Sequence, residues 1–228
     1  MSKFKLASIA FLIAVSMVTL KSDGIFAVTR DIAIVLKITG TARVKSGQSN
    51  WENLQKGRRL QDGDRVRTGA ESLVALVFTD DKSMMKIRSN SEVAFSGERQ
   101  EKGILKRLSM NVGQMWAKVN PTGAGFRIET PSGVAAVKGT EFYTLVDEFG
   151  NTVVIGLEGL LELINQLGSI LVGEGQTGTM SKTNAPSVKD TEKFDDWAQT
   201  GDDKSLSIEF ESEDGNTKKN LKIRYRNE

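Results

Sequence analysis

Short apolar segments alternate with polar residues along most of the chain, and glycine or turn-forming residues separate them. Residues Thr41–Lys45 place Ala42 and Val44 on one face and polar or charged side chains on the other, which is the two-residue period of a half-buried strand. Residues Leu73–Phe78 are apolar on both faces, as in an inner strand that is covered on two sides. Such segments recur roughly every 8–12 residues, so the pattern predicts an all-β protein.

The spacing of the predicted strands is compatible with a sandwich, a barrel or a β-solenoid. No fixed repeat length is visible that would require a regular solenoid. Glycine is abundant, with 22 residues, and proline is scarce, with 3. This composition suits short strands joined by tight turns.

Residues 1–27 have the pattern of a secretory leader. Lys3 and Lys5 precede the uncharged apolar segment Leu6–Leu20, which is shorter than the roughly 20 residues that a spanning helix needs. We expect cleavage after Ala27. An uncleaved N-terminal anchor is the alternative. Ile25 would be the third residue before the cleavage site, and it is larger than the small residue preferred there. In both cases the rest of the chain is expected outside the inner membrane, in the periplasm or the extracellular space.

The chain contains no cysteine and no histidine. These absences exclude disulfides, thiolate nucleophiles and histidine-dependent catalysis, and most transition-metal sites. Chemistry that uses only carboxylates or lysine stays open. We therefore expect no enzyme, and the sequence assigns no catalytic, cofactor-binding or metal-binding residue and no cofactor.

The net charge gives no reason to expect nucleic acid as a partner. Three of the 31 basic and one of the 29 acidic residues lie in residues 1–27. The remainder therefore carries 28 of each and no net charge. A nucleic-acid-binding domain normally has a basic excess.

Individual polar and aromatic residues have simple structural interpretations. Trp51 is expected to pack against the core or a loop rather than to stack on a ligand. Trp116 stands alone, and single-stranded nucleic acid would need more stacking residues. We expect Lys106, Arg107 and Lys118 on solvated strand faces.

An Asp-Gly turn lies within residues Leu60–Gly69. Asp62 and Asp64 flank Gly63, but the spacing of a calcium-binding loop and its closing glutamate are missing. We expect Gly63 to adopt a positive φ and the two aspartates to accept hydrogen bonds from the backbone of the turn.

Seven short motifs follow one another along the middle of the chain: Gly40–Val44, Leu60–Gly69, Ser89–Val93, Gly113–Val119, Phe126–Pro131, Val137–Phe142 and Leu157–Gly159. In this order they resemble the FecR-domain family, over roughly Gly40 to Met180. The most recognisable parts are Gly63–Gly69 and Lys138–Phe142. The resemblance implies a twisted β-roll or solenoid-like sandwich of many short strands.

The best-known proteins of this family are single-pass inner-membrane regulators. The resemblance implies a cytoplasmic segment that contacts an extracytoplasmic-function sigma factor, and a periplasmic part that receives a signal from a TonB-dependent receptor. Only five residues precede the apolar segment here, which is short for a sigma-contacting segment. We therefore expect this protein to share the exported β domain, but not the sigma-contacting segment, with those regulators.

Residues Thr130–Phe142 are the centre of the resemblance. Their pattern predicts two short strands on either side of a glycine corner. We expect Phe142 in the core. Glu141 lies near Arg127 or Lys138 and is expected to form a structural ion pair. A catalytic role is less favoured, because no motif places a second acid–base group beside it.

After the leader, we expect three parts: a β domain in residues 28–182, a linker with a short helix in residues 183–203, and a β-hairpin in residues 204–228. The predicted helix, Asp190–Gln199, presents Phe194 and Trp197 on one face. The tail from Ser187 carries 8 basic and 11 acidic residues, whereas residues 28–186 carry 20 and 17. We expect the tail to dock on the β domain through this charge difference and through Trp197.

Three functions are compatible with the sequence. The preferred one is a non-enzymatic exported cell-envelope protein, a binding, scaffold or signal-sensing module whose partner is an envelope protein or glycan. It would touch the membrane only through an uncleaved N-terminal segment. The alternative is a periplasmic or membrane-anchored regulator of sigma-factor signalling linked to TonB-dependent receptors. A carboxylate-based hydrolase is less favoured, since it needs two acids about 5–10 Å apart in a cleft.

Overall fold

A computed structural model describes residues 31–192 and 197–198 and the backbone of 205–211 and 218–224. All regular elements in these ranges are strands, which confirms the all-β prediction. The predicted leader, residues 1–27, lies outside the described residues. No helix in the described ranges has the length and apolarity that a membrane span requires.

The strands in the described ranges follow one another at short intervals, as the alternating pattern predicts. They are β1 (Asp31–Thr39), β2 (Ala42–Ser46), β3 (Glu52–Asn53), β4 (Arg59–Gln61), β5 (Asp64–Thr68), β6 (Leu73–Phe78), β7 (Met84–Ile87), β8 (Glu92–Gln100), β9 (Gly103–Lys118), β10 (Phe126–Thr130), β11 (Gly133–Val137), β12 (Glu141–Val146), β13 (Thr152–Glu158), β14 (Leu161–Asn165), β15 (Gly168–Val172), β16 (Gln176–Met180), β17 (Ser187–Asp190), β18 (Ser205–Glu211) and β19 (Lys218–Arg224).

Strands β1 to β17 form two layers that share the long strand β9. The first layer has the order β4-β1-β6-β7-β9-β12-β13-β16-β17. The second layer has the order β3-β2-β5-β8-β9-β10-β11-β14-β15. The first half of β9 pairs with β8 and β10, and its second half, from Gly113, pairs with β7 and β12.

The main core lies between the two layers. The rings of Phe78, Phe126 and Phe142 meet edge to face, with centroids 5.5 Å and 6.4 Å apart. Phe142 is fully buried, which confirms its predicted place in the core. Met85 of β7 and Met115 of β9 belong to the same buried cluster. Residues that alternate with them on the same strands face outward.

A second apolar cluster lies on the outer face of the first layer. It contains Trp116, Tyr143, Ile155 and Ala198. The Ala198 N–H donates a hydrogen bond to the Tyr143 hydroxyl at 3.2 Å, and the Trp197 ring lies 5.4 Å from the Tyr143 ring. The expected contact of the tail through Trp197 is therefore present.

The helix predicted over Asp190–Gln199 is not supported. Asp190 is the last residue of β17 and pairs with Gln176, and residues 197–198 form a turn. Residues 193–196 and 199 lie outside the described residues, Phe194 among them. Pairing with β16 decides the conformation at the start of this segment, because tertiary contacts override weak helix propensity.

The predicted C-terminal hairpin is present. Strands β18 and β19 pair antiparallel, with Ile208 opposite Leu221. They form a two-stranded sheet of their own. Strand β17 falls in the segment predicted as a linker and extends the first layer by one strand.

Candidate functional site

The outer face of the second layer carries a row of solvent-facing side chains on four neighbouring strands. Arg127, Ala136, Glu162 and Leu171 stand opposite one another on β10, β11, β14 and β15. Because side chains alternate along a strand, these residues share the outer face, and their sequence neighbours face the core.

An open groove of about 730 Å³ runs along this row. We call it the leucine groove. Its apolar lining includes Leu105, Leu160 and Leu171, and the charged side chains of Arg127 and Lys138 are also part of its wall. Leu160 is 52% exposed and Leu171 is 55% exposed. The groove therefore combines exposed aliphatic side chains with charged ones.

A second groove of about 730 Å³ lies on the same face, in the next row of side chains. Its wall includes the segment 130–134, at the start of the predicted central stretch, and Ile164. Ser132 Oγ donates a hydrogen bond to Thr152 Oγ1 at 2.7 Å, and Thr152 Oγ1 donates one to Thr130 Oγ1 at 2.8 Å. Ser132 and Thr152 are buried, so these hydroxyls hold the turn and do not present a nucleophile to the groove.

The glycine corner and the Asp-Gly turn each contain a glycine with a positive φ, and for Gly63 this confirms the prediction. Gly139 has a φ of +71°, and a Cβ at this position would come within 2.8 Å of Pro121. Gly63 has a φ of +83°. Both conformations are accessible to glycine without steric strain.

Asp62 and Asp64 accept hydrogen bonds from the backbone. Asp64 Oδ2 accepts from the Gln61 N–H at 3.0 Å, within the turn. Asp62 Oδ1 accepts from the Gly97 N–H of β8 at 3.1 Å. The prediction is thus confirmed for Asp64, which bonds the backbone of the turn. Asp62 instead links the turn to the neighbouring strand β8.

Glu141 forms a structural ion pair, and its partner is Lys118, a residue that the sequence did not propose for this role. Lys118 Nζ lies 2.8 Å from Glu141 Oε2 and 3.2 Å from Glu158 Oε2. Trp116 Nε1 donates a hydrogen bond to Glu141 Oε1 at 3.2 Å. The hydrogen bond to Glu141 raises the pKa of Lys118, against the opposing effect of burial. Lys118 is half-exposed, as expected, but it is paired.

The prediction that Lys106 is solvated is wrong. Its side chain is 0% exposed, and Nζ lies 2.8 Å from Asp80 Oδ2 and 2.6 Å from Asp81 Oδ2. Lys106 alternates with Ile104 and Leu108 on the inward face of β9, so the strand period places it at the core. Arg107, on the other face, is exposed as predicted.

Trp51 packs at the surface of the second layer. The Arg67 guanidinium lies 4.6 Å from its ring centroid. Arg67 also forms a salt bridge with Glu92. Trp51 is half-buried, which agrees with a packing role.

Two pairs of carboxylates in the described chain each share a lysine. Asp80 and Asp81 meet at Lys106, and Glu141 and Glu158 meet at Lys118. For Asp80, burial would raise the pKa, but the hydrogen bond and the charge of Lys106 lower it below its ordinary value, so this carboxyl is poorly suited to act as a general acid. Within the described ranges, no group of three or more acidic side chains is arranged to hold a metal ion.

The sequence pattern does not identify the leucine groove. Leu160 and Leu171 belong to predicted short strands, and the two-residue period cannot say which face remains uncovered. One signal was available: residues 166–173 contain no charged side chain, although they lie at a predicted turn and strand end.

The two layers form an all-β domain with an exposed aliphatic groove on one outer face. Residues 64–162 match the family "FecR protein". The predicted resemblance to this family is therefore confirmed over these residues. The match runs from β5 into β14 and includes Arg127, Lys138 and Leu160 of the groove.

Two crystal structures of a protein from Parabacteroides distasonis ATCC 8503, provisionally described as an anti-sigma factor, are similar to the chain. For each, the sequence identity is 14% and the TM-score is 0.48. The match covers 55% of this chain and 59% of the solved chain. No curated protein matches the chain.

Proposed function

We propose that the protein is an exported, non-enzymatic module of the cell envelope that binds a partner protein through the leucine groove. The observation that carries the proposal is the exposure of Leu160 and Leu171 beside Arg127 and Lys138. Exposed apolar patches with polar rims mark interaction sites on soluble domains. The charged rim would orient the partner and select among partners.

A protein partner fits this groove better than a glycan. Its exposed lining is aliphatic, and aliphatic side chains offer no ring face for a sugar to stack on. The aromatic residues Trp116 and Tyr143 lie on the opposite layer and are covered. Binding of a glycan in place of a protein would contradict this part of the proposal.

Photocrosslinking of the tagged full-length chain in its host tests the groove. A crosslinking residue at Leu160 should capture one defined envelope protein, and Arg127→Glu should abolish that capture. Phe149 is the matched control, because it is 83% exposed but lies in the β12–β13 turn, outside the groove. Equal capture from Leu160 and Phe149 would show that the groove is not the binding site.

Export is part of the proposal and is supported by the leader pattern of residues 1–27. Cell fractionation tests it separately from binding. The full-length protein should be recovered in the periplasmic, membrane or extracellular fraction. Reproducible recovery in the cytoplasm would falsify it.

A regulator of sigma-factor signalling is the second candidate, and the FecR match over residues 64–162 favours it. In this case the partner in the groove would be a receptor, and the N-terminus would face the cytoplasm. Protease treatment of spheroplasts distinguishes the two candidates. A protected N-terminal tag together with a digested β domain would support the regulator, and complete digestion would support the exported module.

A further inference from the structure

The edges of the two layers differ in charge. In the part of the chain that the structure describes, the layers end on β3, β4, β15 and β17. Strand β3 carries Glu52, β4 carries Arg59, and β17 carries Lys189 and Asp190. Strand β15 carries no charged residue. Charged side chains on edge strands prevent pairing with other chains, so β15 lacks the protection that the other edges have.

The exposed apolar side chains gather at the same edge. Four of the five large apolar residues that are exposed in the described chain lie on β15 or near it: Leu160, Ile164, Leu167 and Leu171. Leu167 precedes the strand and is 54% exposed, and Leu171 lies within it. An uncharged edge strand flanked by exposed leucines is the arrangement that favours the addition of another strand.

We propose that β15 is a dimerisation edge, at which two copies of this chain pair antiparallel and extend the second layer across a two-fold axis. With Ile170 on the axis, Ile170 faces its own counterpart and Ser169 faces Leu171 of the second copy. The inward side of Ile170 already packs against the core. Diagonal neighbours in such a pair lie about 7–8 Å apart, which brings the two Leu171 side chains together.

The composition of β15 favours a second copy as the occupant. In a two-fold antiparallel pair, each residue meets a residue of the same strand, so a charged strand would place like charges close together. The five residues of β15 are uncharged, and their pairing creates no such repulsion. A two-fold pair is also closed, because it uses the same edge of both copies and leaves no further edge to propagate.

The contact is small, since it joins strands of five residues and a few leucine side chains. Interfaces below about 1,200 Å² are weak and transient. We therefore expect a dimer that dissociates in the micromolar range, on the order of 1–100 μM. The equilibrium should be visible as a change in mass when the protein is diluted.

Variants that introduce charges at Ser169 and Leu171 test the dimer contact and its register. The measurement is sedimentation velocity on the full-length protein. The wild-type chain should shift from monomer to dimer with rising concentration. Ser169→Lys should weaken dimerisation at least tenfold, and so should Leu171→Asp. Because Ser169 faces Leu171 across the axis, the double variant should restore the dimer through two intermolecular ion pairs. Circular dichroism confirms folding; both residues are exposed.

Three outcomes would overturn the proposal: a wild-type chain that remains monomeric above 100 μM, on the order of the weakest expected constant, a dimer unaffected by Ser169→Lys, or a double variant that stays monomeric. If the edge instead receives a strand of another protein, the wild-type chain is monomeric and a crosslinker at Ser169 captures that protein. Leu171 belongs to both the groove and the proposed dimer contact. The two proposals are therefore separated at residues that only one of them uses: Arg127→Glu should leave the dimer intact, and Ser169→Lys should leave partner capture by the monomer intact.

Discussion

At the scale of single residues, Lys106 is unusual because a charged side chain lies in the core. It is a fully buried ammonium group that lies between Asp80 and Asp81 and 5.4 Å from the centroid of the Phe78 ring. Both carboxylates come from the turn between β6 and β7. The cluster therefore fastens this turn, which belongs to the first layer, to the part of β9 that belongs to the second.

Replacing Lys106 tests the role of this cluster. Lys106→Met leaves two buried carboxylates without their counter-ion, and we expect a loss of about 3–5 kcal/mol in the free energy of unfolding. Arg107→Met is the matched control, because Arg107 is exposed on the same strand; its effect should stay within about 0.5 kcal/mol. Urea unfolding at neutral pH measures both. Similar midpoints for the two variants would show that the cluster does not stabilise the fold.

The same cluster gives a pH dependence. Burial would raise the pKa of Asp80, but the hydrogen bonds from Lys106 and from the Ile104 N–H, and the Lys106 charge, lower it below its ordinary value. The folded-state pKa is thus below the unfolded value of about 4. Asp80 contributes stability above that pH and loses its contribution as the pH falls through the folded-state value.

We therefore expect the urea midpoint to fall between about pH 5 and pH 3, around the ordinary carboxyl pKa. The fall should be smaller in Asp80→Asn, which has no carboxylate to protonate at that position. The comparison is between the two slopes, since the variant is less stable at every pH. Parallel curves for the two proteins would exclude Asp80 as a source of the acid sensitivity.

At the scale of elements, the contact of residues 197–198 with the outer face of the first layer closes an apolar patch. Lys86 Nζ donates a hydrogen bond to the Ala198 carbonyl at 2.6 Å, and the Arg88 guanidinium lies 5.4 Å from the Trp197 ring centroid. Polar and aromatic contacts thus hold the same short turn. The turn covers Trp116 and Tyr143, which lie on neighbouring strands of the layer.

Removing the Trp197 ring should loosen this contact. Trp197→Ala is expected to cost about 1–2 kcal/mol, less than a fully buried tryptophan because the side chain is half-buried. Deleting Ser187–Glu228 should also lower the melting temperature. Thermal unfolding followed by circular dichroism measures both changes. Trp51→Ala, on the other layer, is a control with a smaller expected loss of about 0.5–1 kcal/mol from its cation–π contact. A melting curve unchanged by the deletion would show that the tail does not stabilise the β domain.

The strands were predictable where their own residues decide the structure. The alternation that places Phe142 in the core, and the glycine at position 63, act over a few residues and are visible in the sequence. Strand β17 was not predictable, because its short polar segment becomes a strand only by pairing with β16. The groove was not predictable either, since exposure of Leu171 depends on which elements fail to cover it.

For Lys106, in contrast, the alternating pattern alone would have predicted the buried position. It lies two residues from both Ile104 and Leu108, so the strand period assigns it to the apolar face. Its charge suggested solvent instead. What the sequence could not show is that the turn at Asp80 and Asp81 meets β9, a contact between residues about 25 positions apart.

At the scale of the whole molecule, the FecR match is smaller than the folded unit. Strands β1 and β2 lie outside residues 64–162 and pair with β6 and β5. Strand β16 also lies outside and pairs with β13. Strands within the match thus depend for their hydrogen bonds on strands before and after it.

A chain cut to residues 64–162 should therefore fail to fold. It would expose the ladder edges of β5, β6 and β13, and unpaired backbone groups are costly where water cannot replace the lost partner. A chain of residues 31–192 keeps these partners and is the control. Circular dichroism and urea unfolding should show a cooperative transition for the longer chain alone. A cooperative transition in the shorter chain would show that the flanking strands are dispensable.

Strand β9 has a consequence for how the molecule opens. One continuous backbone supplies the partner of β8 in the second layer and of β7 in the first. The strands of one layer cannot separate from β9 without disturbing the backbone that pairs with the strands of the other layer. Amide hydrogen exchange should therefore report one common opening free energy for β7 and β8. The protein would then exchange as a single cooperative unit, although its core separates two layers.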